Sequence, residues 1–200
     1  MASAIQTRLA STHRVAVHAD ATRSGVWVGI FAITMSFAAF TSALFVRQGS
    51  SDWTHLAVPP LVYANTLILI MSSITFEMSR RAMAKGLESD RSELRIGVRW
   101  LWGALVLGLA FVAGQYMVWR QLAAAGIYLA TNPNSSFFYV FTGMHALHLI
   151  GGILALVYLI ARLSGKGAAF RQSLFESTAI YWHFMAGLWL YLLLVMRTRL

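Results

Sequence analysis

An all-α integral membrane protein, a bundle of five transmembrane helices with its amino terminus inside and its carboxyl terminus outside, is the fold class this 200-residue sequence predicts. Composition is the first reason. The chain is 58% hydrophobic and only 12% charged, with mean hydropathy +0.63, whereas soluble domains carry about 25% charged residues. Segmentation is the second: the apolar residues fall in five charge-poor windows, each close to the ~20 residues that cross the hydrocarbon core. Periodicity is the third, because none of these windows alternates at period two like the shorter strands of a membrane barrel.

The first helix is predicted over 25–46, between Arg23 and Arg47. The second, over 57–79, opens at Pro59-Pro60, since a helix tolerates proline in its first turn. The third occupies 100–119, closed by Arg99 and Arg120. The fourth runs over 137–161, after the loop Thr131-Asn132-Pro133-Asn134-Ser135, and the fifth over 177–196, between Glu176 and Arg197. Residues 83–95 carry mixed charges (Glu88, Asp90, Arg91, Glu93, Arg95) and read as a short solvated connector. The segment 1–23 is polar, carries Arg8, Arg14 and Arg23 and lacks an apolar core region. It is expected to be a mobile cytoplasmic arm with no cleavable signal peptide, leaving 24–200 as the transmembrane domain.

Lysine and arginine set the direction. Twelve lie in the arm, the 80–99 segment and the 162–171 segment; Arg47, Arg120, Arg197 and Arg199 make four on the opposite side. The amino terminus is therefore expected inside, and Trp53, Trp102 and Trp119 fall near span ends as interface anchors. A net charge of +9 distributed between apolar runs is a topology signal and not a nucleic-acid surface. With no cysteine, the chain has no disulfide, thiol nucleophile or thiolate metal site.

Polar groups inside the spans are the candidates for function. His145 and His148 sit in the fourth window and His183 in the fifth. At about 1.5 Å per residue, His148 lies roughly 16 Å and His183 roughly 9 Å into their spans. Both fall in the middle third and could approach each other. Three readings stay open on the residues alone. His145 or His148 could join His183 as axial ligands of a b-type haem. The imidazoles could instead hydrogen-bond to one another, to Thr142, Ser177, Thr178 or backbone, tying the last two helices. Or they could line a proton or ion path. Glu77 precedes Arg80 and Arg81 at ion-pairing helical spacing, and it could also collect protons or share a lipid headgroup with them. Glu176 lies in a first helical turn, where the dipole favours a carboxylate. Asn65 and Gln115 are suited to interhelical hydrogen bonds. Gly143, Gly151, Gly152, Ala146 and Ala155 make a small-residue face for close packing.

The run Phe137-Phe138-Tyr139-Val140-Phe141-Thr142-Gly143-Met144-His145-Ala146-Leu147-His148, with Gly151 and Gly152 beyond it, resembles a helix motif of cytochrome c oxidase subunit III. Phe175-Glu176, Tyr181-Trp182-His183-Phe184 and Trp189 resemble that family's last helix. Weaker similarity extends through Asn65-Thr66-Leu67, Ser72-Ser73, Gly114-Gln115 and Trp119. The resemblance implies the short five-helix bacterial form: an accessory subunit of a haem–copper terminal oxidase in the inner membrane, itself without redox centres. Haems and copper are expected in subunits I and II. The implied partners are subunit I above all, subunit II and possible further respiratory subunits, and phospholipids. The residues expected to form lipid or structural polar sites are Glu77, Arg80, Arg81, Arg99, His145, His148, Arg171, Glu176, Trp182 and His183, none of them catalytic. Three positions depart from the family pattern. Ile33 stands where a buried glutamate is common, Ala186 where an aspartate follows the tyrosine–tryptophan–histidine–phenylalanine run, and Ala146 where a glycine separates the histidines. A b-type cytochrome anchor and an accessory subunit of a nitric-oxide reductase are the alternatives.

Overall fold

The computed structural model describes residues 2–51, 53, 58–88, 91–164 and 172–200, with side chains described from 23 onward except at 87, 88, 91 and 164. Among the described residues there are five helices: α1 (Ala2–Arg47), α2 (Leu61–Glu88), α3 (Arg91–Ala124), α4 (Pro133–Ser164) and α5 (Gln172–Arg199). Each contains a stretch long and apolar enough to cross a membrane. The five windows read from the sequence are thus five helices, but every helix overruns its window. Arginine, lysine and glutamate end an apolar run without ending a helix, because they are good helix formers. For this reason the 1–23 arm is helical from Ala2 and continuous with α1. Likewise the connector expected over 83–95 is mostly helix, with only residues 89 and 90 separating α2 from α3. The second helix starts at Leu61 and not at 57, because a proline disfavours helix in the residue before it and Pro59 and Pro60 stand together; the basic residue Arg171 lies outside the described residues.

Local chemistry explains the ends. Pro59 and Pro60 launch α2, their carbonyls accepting from Val62 N and Tyr63 N at 3.0 and 3.1 Å. At the end of α3, Gly126 takes φ +76°, which costs a Cβ-bearing residue energy. Ile127 N then donates to Leu122 O (2.9 Å) and Gly126 N to Ala123 O (3.0 Å), the paired bonds of a Schellman stop. α4 starts on a cap: Ser135 N donates to Asn132 Oδ1 (2.7 Å), and Pro133 fills the first helical position.

α2, α3, α4 and α5 close a ring in which each packs on its two neighbours, while α1 lies outside against α4 and α5. Burial follows this plan: half of the α5 span is inside the bundle, against 28% of the α1 span. The closest pair is α2 with α3. Val62, Leu69, Phe76 and Met83 recur every seven residues and are buried. Three residues on from the first three of them come Asn65, Ser72 and Ser79, each donating to a backbone carbonyl of α3: Asn65 Nδ2 to Phe111 O (3.0 Å), Ser72 Oγ to Ala104 O (2.8 Å) and Ser79 Oγ to Gly97 O (2.8 Å). Donors climb by seven while acceptors descend by seven, an antiparallel heptad register with a polar rung at each repeat. Glycines on both helices let the backbones approach. A Cβ at Gly97 would stand 2.8 Å from Met83, one at Gly86 2.8 Å from Leu94 N, and one at Gly114 would collide with Asn65 Oδ1.

Candidate functional site

Two polar regions stand out. The first lies between one end of α2 and the start of α5. Glu77 accepts from Arg80 Nε and Nη2 at 2.7 and 2.8 Å and from Arg81 Nε at 3.0 Å. The spacings of three and four residues put both guanidinium groups over the carboxylate. His183 enters from α5: its Nδ1 is hydrogen-bonded to Ser73 Oγ at 2.6 Å, and its Nε2 stands 3.9 Å from Glu77 Oε2, beyond hydrogen-bond reach. Glu176 Oε1 accepts from Gln172 Nε2 at 2.7 Å. Together with Phe175, Arg80 and Arg81 these last two line a small cleft of about 170 Å³. The structure therefore gathers Glu77, Arg80, Arg81, Glu176 and His183 at one end of the α2–α5 seam.

The second region is the interior of the ring. His145 is fully buried, with its ring 4.9 Å from that of Trp189 and 5.9 Å from that of Phe111. Trp189 Nε1 donates to Thr66 Oγ1 at 2.9 Å, joining α5 to α2. Trp182 is buried against Phe76, ring centroids 6.1 Å apart, and passes over Gly108, where a Cβ would lie 2.8 Å from the indole. Trp119 donates through Nε1 to Thr142 Oγ1 (3.0 Å) and ties α3 to α4.

His148 belongs to neither region. Three residues along a helix is a turn of 300°, so His148 faces 60° away from His145. Its ring meets Phe37 of α1, while Nδ1 is 2.7 Å from Met144 O of its own helix. The three imidazoles thus have three different sets of neighbours. Helix tying does occur, through partners other than the ones expected: Ser73 holds His183, and Tyr181 Oη donates to His148 O at 2.9 Å. Among the glycines of α4, Gly152 is where Tyr181 presses closest. Arg99 is exposed on α3 and lines a surface groove of about 660 Å³ with Thr75, Trp100, Trp102 and Gly103. Arg171 lies outside the described residues. Among the described residues, no group of three or more His, Asp or Glu is placed to hold a metal ion.

The residues that sequence reasoning missed are mostly hydroxyls: Ser72, Ser79, Thr66, Tyr181, and the Tyr191–Thr41 pair that joins α5 to α1 at 3.0 Å. A signal existed for two of them, since Asn65, Ser72 and Ser79 repeat every seven residues.

Fold and polar regions define a class: a helical membrane protein whose buried polar groups join helix to helix. Within that class, the chain belongs to the cytochrome c oxidase subunit III family, which it matches over residues 4–198. It is 33% identical over 167 residues to a probable cytochrome c oxidase subunit 3 of Nocardia farcinica, covering 78% of this chain and 77% of that protein. It is 30% identical over 185 residues to cytochrome c oxidase subunit 3 of a Synechocystis species, covering 89% of this chain and 76% of that one. A third relative, from Aeropyrum pernix, is named a heme-copper oxidase subunit I+III; 32% identity over 182 residues covers 85% of this chain and 22% of that longer protein. The three departures from the family pattern, Ile33, Ala146 and Ala186, are all buried apolar side chains here.

Proposed function

We propose that this chain is the accessory third subunit of a bacterial haem–copper terminal oxidase in the cytoplasmic membrane, oriented with its amino terminus inside, and that it carries no redox centre itself. The family match over residues 4–198 carries the reading. Subunit I is the first partner in this proposal, supported by a relative whose name joins subunits I and III in one protein. Subunit II and the haems and copper of the redox subunits complete the enzyme. The chain contributes packing, lipid sites and an apolar route for oxygen. Arg80, Arg81, Arg99 and Arg171 meet anionic headgroups, with Glu77 holding the first two in place and Glu176 lining the same cleft. The groove floored by Trp100, Trp102 and Val106 receives acyl chains.

Affinity purification from native membranes in mild detergent tests this. A haem–copper subunit I is expected as the largest copurifying haem protein, with oxygen uptake in the eluate. Copurification with a nitric-oxide reductase instead would move the subunit to that enzyme, and haem retained by this polypeptide alone would overturn the reading. In the intact oxidase, a triple Arg80→Ala, Arg81→Ala, Arg99→Ala variant is expected to retain less phospholipid and to lose activity sooner during turnover. Unchanged lipid content would remove the headgroup role.

A further inference from the structure

Among the described residues, the buried polar atoms without a hydrogen-bond partner in the protein include Asn65 Oδ1, both amide atoms of Gln115 and both ring nitrogens of His145. None of these three side chains is more than 1% exposed. They also share one level of the bundle. Asn65 reaches Phe111 O from α2, the Phe111 ring meets the His145 ring at 5.9 Å, and Gln115 lies one helical turn along α3 from Phe111. On the far side of Gln115, Trp119 is bonded to Thr142, one turn before His145 on α4. These two contacts, one on either side of Gln115, hold it within about a helical turn of the His145 level.

Unpaired donors and acceptors are costly in any interior, and within the hydrocarbon core no bulk solvent relieves them. The chemistry required is specific. A neutral imidazole has one donor and one acceptor nitrogen, and a carboxamide has both kinds of atom, so the missing partner must both give and accept. It must also be small. Room exists on the α4 side, where the position of a Cβ at Gly143 has no atom within 4 Å. Gly143, Ala146 and Gln115 together line a groove of about 570 Å³ between α3 and α4 that opens at the surface. We infer that ordered water occupies this level, hydrogen-bonded to Gln115, His145 and Asn65 Oδ1. Buried waters typically make about three such bonds to polar groups that the protein leaves unmatched. The inference concerns the bundle interior alone and does not depend on which enzyme the subunit serves.

Water-edited solid-state NMR on the full-length, isotopically labelled chain in its lipid-embedded complex tests it. Magnetisation is expected to pass from water to the His145 ring N–H and the Gln115 amide several-fold faster than to the Trp189 indole, which is bonded to Thr66. Equal, slow transfer to all three overturns the inference, as does a direct Gln115–His145 cross-peak showing that the two side chains satisfy each other. Gln115→Leu, which removes a water partner without adding bulk, is expected to reduce transfer to His145, and no reduction also counts against the site.

Discussion

At the scale of single residues, the bundle is held by neutral hydrogen bonds and by places where a side chain is missing. Gly114 leaves the space that Asn65 fills. Gly114→Val is expected to push the amide off Phe111 O and destabilise the fold by about 1–3 kcal/mol, the usual penalty of overpacking, read as a lower midpoint in thermal unfolding in detergent. Ser79→Ala, which removes one rung, is expected to cost only about 0.6 kcal/mol, the average for hydrogen bonds between membrane helices. Ser36→Ala is the control. Its hydroxyl is exposed and bonds only Ala32 O of its own helix, so no change in midpoint is expected. Asn65 was legible in the sequence because an amide inside an apolar run needs a partner. Ser72 and Ser79 were not, because serine is common in membrane helices and only its recurrence marks it. The histidines were legible as important, yet their partners were not: the Ser73 hydroxyl meets His183 only when α2 lies beside α5.

Among the elements, existence was easier to read than extent. A charge-free window locates the hydrocarbon, whereas the helix continues until a cap, a proline or a glycine stops it, as Gly126 stops α3. Beyond the pairing of the last two helices, which helices neighbour one another was not legible, since apolar faces in lipid do not announce a partner. The peripheral place of α1 has a measurable consequence. It packs only on α4 and α5 and is the least buried span, so its backbone amides are expected to exchange with deuterium sooner than those of α5 in the purified protein. Tyr191→Phe, which removes the bond to Thr41, should widen that difference without altering exchange in α2 and α3. Uniform protection across α1 and α5 would contradict the ring-plus-one arrangement.

For the molecule as a whole, the proposed orientation rests on the twelve-to-four division of basic residues. The absence of cysteine makes it directly measurable by single-cysteine labelling. Ser50→Cys and Thr131→Cys are expected to react with an impermeant maleimide applied to intact spheroplasts, and Lys85→Cys only after the membrane is opened. The reverse pattern would invert the topology and exchange the compartments assigned to the Glu77–Arg80–Arg81 cluster and the 126–131 turn. The sequence motifs around His145 and Trp182 were enough to point to the family. They did not reveal that His145, the more deeply buried of the paired histidines, leaves both ring nitrogens without protein partners.

The rungs between α2 and α3 bear, finally, on how the protein is made. The most apolar window of α2 has the lowest mean hydropathy of the five, 1.5, partly because it carries Asn65, and Asn65, Ser72 and Ser79 all find their acceptors on the helix synthesised next. Facing lipid alone, that segment would present an amide without its acceptor. With only residues 89 and 90 between the two helices, the favourable route into the bilayer is joint: the translocon would retain α2 until α3 emerges and release both as one paired hairpin.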